Sequence, residues 1–97
     1  MPTFQVTPRF ERDWKQLTSE SRARFQRVIT GQFVPDLARS VFRAGLRVKR
    51  VQAAPGVFEM TWAPHGRATF SYGPPQHSGE PHVIWRRIGT HDIFRES

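Results

Sequence analysis

The sequence predicts an α+β domain: one N-terminal strand, an antiparallel helical hairpin, then a four-stranded antiparallel meander. Three observations predict it. Apolar residues recur with a helical period between residues 8 and 42, and with a period of two from residue 46 onward. The switch falls at Ala44-Gly45, where a helix stops easily. The connections that follow are short and carry proline and glycine, as hairpins require.

Each element has its own signal. TFQVT (3–7) alternates and reads as a strand. Thr7-Pro8 opens a helix, because a hydroxyl caps it and proline stands where its missing N–H costs nothing. Phe10, Trp14 and Leu17 form its apolar stripe. Thr18-Ser19-Glu20 caps a second helix, with the stripe Phe25, Val28, Ile29 and Phe33. Two amphipathic helices joined so tightly are expected to pack antiparallel. Gly31 weakens the second, and Pro35 is expected to end it. Asp36 is then expected to cap a further short helix carrying Leu37, Val41 and Phe42.

In the second half, LRVKRVQ (46–52) places Leu46 and Val48 on one face, Arg47 and Lys49 on the other. VFEMTW (57–62) turns Phe58, Met60 and Trp62 inward, Glu59 and Thr61 outward. RATFSY (67–72) turns Ala68, Phe70 and Tyr72 inward, Arg67, Thr69 and Ser71 outward. GPPQHSGEP (73–81) reads as a loop and HVIWRRI (82–88) as the last strand. Helices then cover one face of a twisted sheet, and the other face stays polar. Alternation sends Lys49, Glu59 and Arg67 to that polar side of three successive strands. Such a group is either a cross-strand ion-pair ladder or the start of a site.

Composition narrows the function. The 97 residues make one domain spanning 1–97, and eight phenylalanines and three tryptophans supply burial for its core. Trp14, Trp62 and Trp85 are all expected there. There are no cysteines, hence no disulfides and no thiolate metal ligands. No apolar run approaches the roughly 18–20 residues of a membrane span, and MPTFQVTPRF lacks a signal-peptide core. The expectation is a soluble, cytoplasmic protein with no membrane partner. The net charge is +7, and between Leu37 and Phe58 five basic residues (Arg39, Arg43, Arg47, Lys49 and Arg50) meet no acid. That block attracts a polyanion.

His65, His77 and His82 read as surface histidines, and no metal site is expected. RRIGTHDIF (86–94) stays open: His91-Asp92 is either a charged strand end or part of a site where a proton moves. Strand parity sends Arg86 and Arg87 to opposite faces without saying which faces the site.

The order strand, helical hairpin, LRVKRV, PGVFEMTW, GRATFSYG and a last strand ending HVIWRRIGTHDIF resembles the RelE/ParE family of bacterial toxin–antitoxin toxins, over most of the chain. The resemblance implies a type II toxin and a metal-independent messenger-RNA endoribonuclease acting on the ribosome, with no cofactor. It equally admits a gyrase poison of the same fold without nuclease chemistry, or a member that only binds. Its implied catalytic residues are Glu59 as base, Arg67 on the phosphate and His91 as acid. Arg47, Lys49, Arg50 and Arg87 would bind RNA phosphates. Phe94 stands where several nuclease members carry tyrosine, and it can stack but has no hydroxyl. The implied partners are a cognate acidic antitoxin in a hetero-oligomer, messenger RNA and ribosomal RNA.

Overall fold

The first two helices begin where their caps dictate. In a computed structural model, which describes residues 2–95, strand β1 (Thr3–Val6) leads into helix α1 (Pro8–Gln16). Thr7 Oγ1 accepts the Phe10 N–H at 3.1 Å, with Pro8 in the first turn. Helix α2 (Ser19–Val28) starts the same way, Thr18 Oγ1 accepting the Ser21 N–H at 3.1 Å. The two helices meet through Phe10, Trp14 and Phe25.

Pro35 does not end the helical segment. The chain widens into a π-type turn over Ile29–Phe33, and helix α3 (Val34–Arg39) follows with Pro35 in its first turn. There the bonding pattern is already re-phased, so proline's missing N–H does less harm. Nor is Asp36 a helix cap. It lies inside α3 and is fully buried. Its carboxylate accepts from the Arg39 guanidinium at 2.8 Å, from the Arg43 guanidinium at 2.8 and 2.9 Å, and from the Arg43 backbone N–H at 2.8 Å. The helix stops at Ser40, in the left-handed region at φ 60°, and residues 40–43 fold back over the carboxylate. Val41, expected in an apolar stripe, is 67% exposed in consequence.

This clamp makes stability depend on acid. The Arg43 guanidinium, followed by the Arg43 N–H, holds the Asp36 carboxyl well below its ordinary value of 3.8. Folding therefore releases a proton, so stability rises with pH across this range and is lost as pH falls below about 4. Thermal melts between about pH 5 and 2 should show that loss. In Asp36→Asn the dependence should flatten, from a lower starting Tm, because a neutral amide accepts more weakly from the two guanidinium groups and the Arg43 N–H that converge on it.

The sheet combines β2 (Lys49–Arg50), β3 (Val57–Ala63), β4 (Gly66–His77) and β5 (Glu80–Gly89) in the expected antiparallel meander. The N-terminal strand joins at the far edge, parallel to β5, giving the order β1-β5-β4-β3-β2. Two boundaries differ from expectation. The basic strand shrinks to Lys49-Arg50, with Leu46 in a 3₁₀ turn over Ala44–Leu46. The expected loop 73–81 is instead an extension of the β4–β5 hairpin, turning at Ser78-Gly79 with Gly79 at φ 77°. Its prolines are tolerated because β4 pairs with β3 only as far as Ser71 and β5 with β1 only from His82. Beyond those points each strand has a free edge.

The core lies between the helices and the inner sheet face. Met60, Ala68, Phe70 and Val83 are fully buried there, and Trp62 and Trp85 nearly so. Phe33 sits centrally, 5.2 Å from the Phe70 ring edge-on and 5.1 Å from Trp85. Tyr72, expected inward, lies at the rim and is exposed. Gly66 is closed to any side chain: a Cβ there would fall 2.6 Å from the Trp62 indole.

One histidine departs from its expected place. His82 is buried on the outer sheet face, Nδ1 at 2.7 Å from Thr3 Oγ1 and Nε2 at 2.9 Å from Gln5 Oε1. Its ring ties β1 to β5. His65 and His77 are exposed, as read from the sequence.

Candidate functional site

Register, rather than sequence proximity, assembles the outer face. One cross-strand row reads Lys49, Glu59, Thr69, Arg87, and the next reads Thr61, Arg67, Gly89. Lys49 and Glu59 are direct partners on neighbouring strands, with Nζ 3.7 Å from Oε1. The lysine side chain is 71% exposed and the glutamate 16%, so a largely sheltered carboxylate sits beside an exposed cation. Arg67 stands one row away. Its guanidinium donates to the carbonyls of Gly66 at 2.9 Å and of Ala63 and Pro64 at 3.3 Å, lying over the β3–β4 turn. Arg50 is exposed beside Lys49, and Arg47 is exposed in a left-handed bend at φ 50°.

The two arginines of β5 are separated by a bulge. Thr69 pairs with Arg87, but the next residue, Phe70, pairs with Trp85, so Arg86 is an extra residue. Arg87 is held by Asp13 of α1, with Nε–Oδ2 2.7 Å and Nη2–Oδ1 3.2 Å. The side chains are only 11% and 14% exposed. Asp13 also accepts the Ile88 N–H at 3.1 Å, and Arg87 reaches the Ile93 carbonyl at 3.4 Å. Arg87, expected on RNA, is thus a strut between helix layer and sheet. Arg86 is exposed and lines a small cavity on the outer face.

RRIGTHDIF resolves into two pieces. The strand ends at Gly89, and His91–Arg95 form a single 3₁₀ turn closed by Ile93 N–H to Thr90 O at 3.1 Å. His91 and Asp92 are both exposed on that turn, so strand parity no longer relates them. Ile93 is buried against the outer sheet face, where a Cβ on Gly89 would come within 2.9 Å of it. The turn therefore brings His91 and Phe94, ring edge to ring at 6.0 Å, onto the face that carries Glu59 and Arg67.

The cavity sits between that turn and the loop after β2. It is lined by Val57, Thr69, Arg86, Ile93 and Phe94, with Val51, Ala53 and Ala54 closing the far side. Thr69 is also the direct cross-strand partner of Glu59, so cavity and carboxylate adjoin. Sequence reasoning put Thr69 on this face but gave it no role, and it gave Asp13 none at all. Among the described residues no three His, Asp or Glu side chains converge as metal ligands, and no helix is long and apolar enough to cross a membrane.

Comparison with known proteins bears on the fold. No family model matches the chain, and no curated protein matches it. Solved structures do. A chain of the Escherichia coli DinJ–YafQ toxin–antitoxin complex matches with a TM-score of 0.63 over 95% of this chain and 94% of its own, at 13% identity. An E. coli YafQ variant with a histidine replaced by glutamine gives 0.66 over 96% and 97%, at 12% identity. A copper-bound mutant toxin from Helicobacter pylori gives 0.63 over 95% and 97%, at 13% identity. At identities this low the likeness is one of architecture, and it spans both chains nearly end to end. The protein therefore has the RelE-like fold found in toxins of type II toxin–antitoxin systems.

Proposed function

We propose that the protein is the toxin of a type II toxin–antitoxin system and a metal-independent endoribonuclease that cuts messenger RNA on the ribosome. The observation that carries the reading is a carboxylate, Glu59, paired with Lys49 on the outer face of a RelE-like sheet, one cross-strand row from Arg67. Glu59 takes the proton from a ribose 2′-hydroxyl as that oxygen attacks the adjacent phosphorus. Lys49 and Arg67 balance the charge that develops on the phosphoryl oxygens. The P–O5′ bond breaks, and His91 gives its proton to the departing 5′-oxygen. The products are a 2′,3′-cyclic phosphate and a 5′-hydroxyl. Arg47 and Arg50, exposed beside this face, dock on ribosomal RNA. The DinJ–YafQ toxin–antitoxin complex supports an antitoxin partner, and the net charge of +7 suits an acidic one.

A second reading, a gyrase poison or a binder without chemistry, is favoured by one observation. The Arg67 guanidinium is engaged by three carbonyls of its own turn. Mapping messenger-RNA 5′ ends in a bacterial translation extract decides between the two. The native protein should produce new ends, and Arg67→Ala and His91→Ala should each reduce them by about tenfold or more. Intact messages with the native protein would sink the nuclease and make gyrase supercoiling the next assay.

A further inference from the structure

One polar group in the core has no partner. Trp62 is 7% exposed, and its indole N–H finds no acceptor among the described residues. Buried donors are almost always paired, so an exception calls for a physical reason. The ring is not free to turn toward an acceptor. Phe25 meets it edge-on at 5.9 Å, and Gly66 is so close that a Cβ there would fall 2.6 Å from the indole.

The indole lines a cleft of about 270 Å³ between α2 and the end of β3. Two features of the backbone open it. The β2–β3 ladder covers only Phe58 and Glu59, so beyond Glu59 that edge of β3 pairs with no strand. On the helix side Arg24, Val28 and Gln32 stand at i, i+4 and i+8. In a regular α-helix each such step drifts about 40° round the axis. The wider π-type turn over Ile29–Phe33 takes back part of that drift, and Gln32 stays on the same cleft as Arg24.

Arg24, Gln32 and Thr61 also line the cleft, and none of their side chains makes a hydrogen bond or ion pair among the described residues. An indole N–H, a guanidinium, an amide and a hydroxyl therefore border one space without an acceptor. The other walls are apolar, chiefly Val28, Ala63 and Pro64. One cation suits one negative charge, and apolar walls suit a hydrophobic body attached to it. A phosphate dianion would find no second cation in the lining. A carboxylate has the matching charge and accepts from several donors at once. The volume lies just under the roughly 300 Å³ at which pockets for drug-sized ligands begin, so the acid is small.

We infer that this cleft binds a small organic monocarboxylate, of the size of benzoate, whose oxygens accept from the Trp62 indole N–H and the Arg24 guanidinium. Gln32 and Thr61 donate beside them. The inference is independent of whether the protein cuts RNA. Cleft and candidate site nevertheless share the β3–β4 turn, because the carbonyls of Ala63 and Pro64 also hold Arg67.

Titration of isotope-labelled protein with benzoate, followed on the three indole N–H resonances, tests it. The resonance missing from Trp62→Phe is that of Trp62. It should move saturably with benzoate, and those of Trp14 and Trp85 should move less. The Tm should rise with benzoate concentration. Benzamide, which keeps the ring and loses the charge, should bind at least about tenfold more weakly. Arg24→Ala should weaken benzoate by about tenfold with the Tm of the unliganded protein unchanged, and Arg27→Ala, exposed on the same helix, should leave it as it was. If Trp62→Phe does not fold, the benzoate-induced rise in Tm of native protein against Arg24→Ala decides the matter alone. The inference is overturned if no indole resonance moves saturably in the millimolar range, which would leave the N–H to a water molecule. It is equally overturned if benzamide or inorganic phosphate binds as well as benzoate, or if Arg24→Ala behaves like Arg27→Ala. Binding of a capped peptide with one glutamate, but not of benzoate, would overturn the small acid as ligand and make the cleft a seat for a polypeptide side chain.

Discussion

Glu59→Gln is expected to slow RNA cleavage by at least about a hundredfold while leaving the fold intact. The substitution removes a proton acceptor and preserves shape. It should cost little stability, because the Glu59 contact to Lys49 is 3.7 Å long and the lysine is 71% exposed. Pairs of that kind contribute roughly 0–1 kcal/mol. A loss of rate with an unchanged Tm therefore separates chemistry from folding. If instead Glu59→Gln cuts at the native rate, the carboxylate belongs to a cross-strand ladder and the base must be sought elsewhere. Single-turnover rates on one defined message, beside thermal melts of both proteins, make the comparison.

Arg87→Ala should act in the opposite way, on stability first. Its pair with Asp13 is close, doubly bonded and almost fully enclosed, with 11% and 14% of the side chains exposed. Removing one partner leaves a buried charge without compensation, at a cost of about 3–5 kcal/mol. For a domain of this size that lowers Tm by more than about 10 °C. Asp13→Ala should lose a similar amount, and the double variant Asp13→Leu with Arg87→Met should recover much of it, since apolar groups of like volume need no compensation. A large loss of RNA affinity by Arg87→Ala at unchanged Tm would return this arginine to the RNA-binding surface.

What the sequence made legible was local. The hydroxyls of Thr7 and Thr18 act within three residues, and both helices start where they stand. The alternating runs on β3 and β4 gave the inward and outward faces, and with them the common side of Lys49, Glu59 and Arg67. The long-range features were not visible. Asp13 and Arg87 are 74 residues apart, and nothing in either neighbourhood announces the pair. The bulge that parts Arg86 from Arg87 is a property of the β4–β5 register, so alternation alone could not choose between them. Asp36 does not read as a buried clamp in the sequence, because its partners at i+3 and i+7 count as surface charges until the chain folds back. The proline-rich stretch 73–81 reads as a loop in the sequence because free strand edges, where proline is harmless, appear only in the assembled sheet.

The site was legible in part for the same reason. Glu59 and Arg67 lie on strands whose parity is fixed by buried neighbours. His91 and Phe94 lie on a turn anchored by Ile93, whose burial against the sheet depends on the bare Gly89 beneath it. The turn reaches the site by packing, which periodicity does not encode.

Product-end chemistry tests the central claim most directly. The purified protein is incubated with messenger RNA in a ribosome-containing extract, and the termini of the fragments are identified. A 2′-hydroxyl attack driven by Glu59 predicts 2′,3′-cyclic phosphate and 5′-hydroxyl ends, absent with Glu59→Gln. Fragments ending in 3′-hydroxyl and 5′-phosphate, or fragments formed equally by Glu59→Gln, would contradict it.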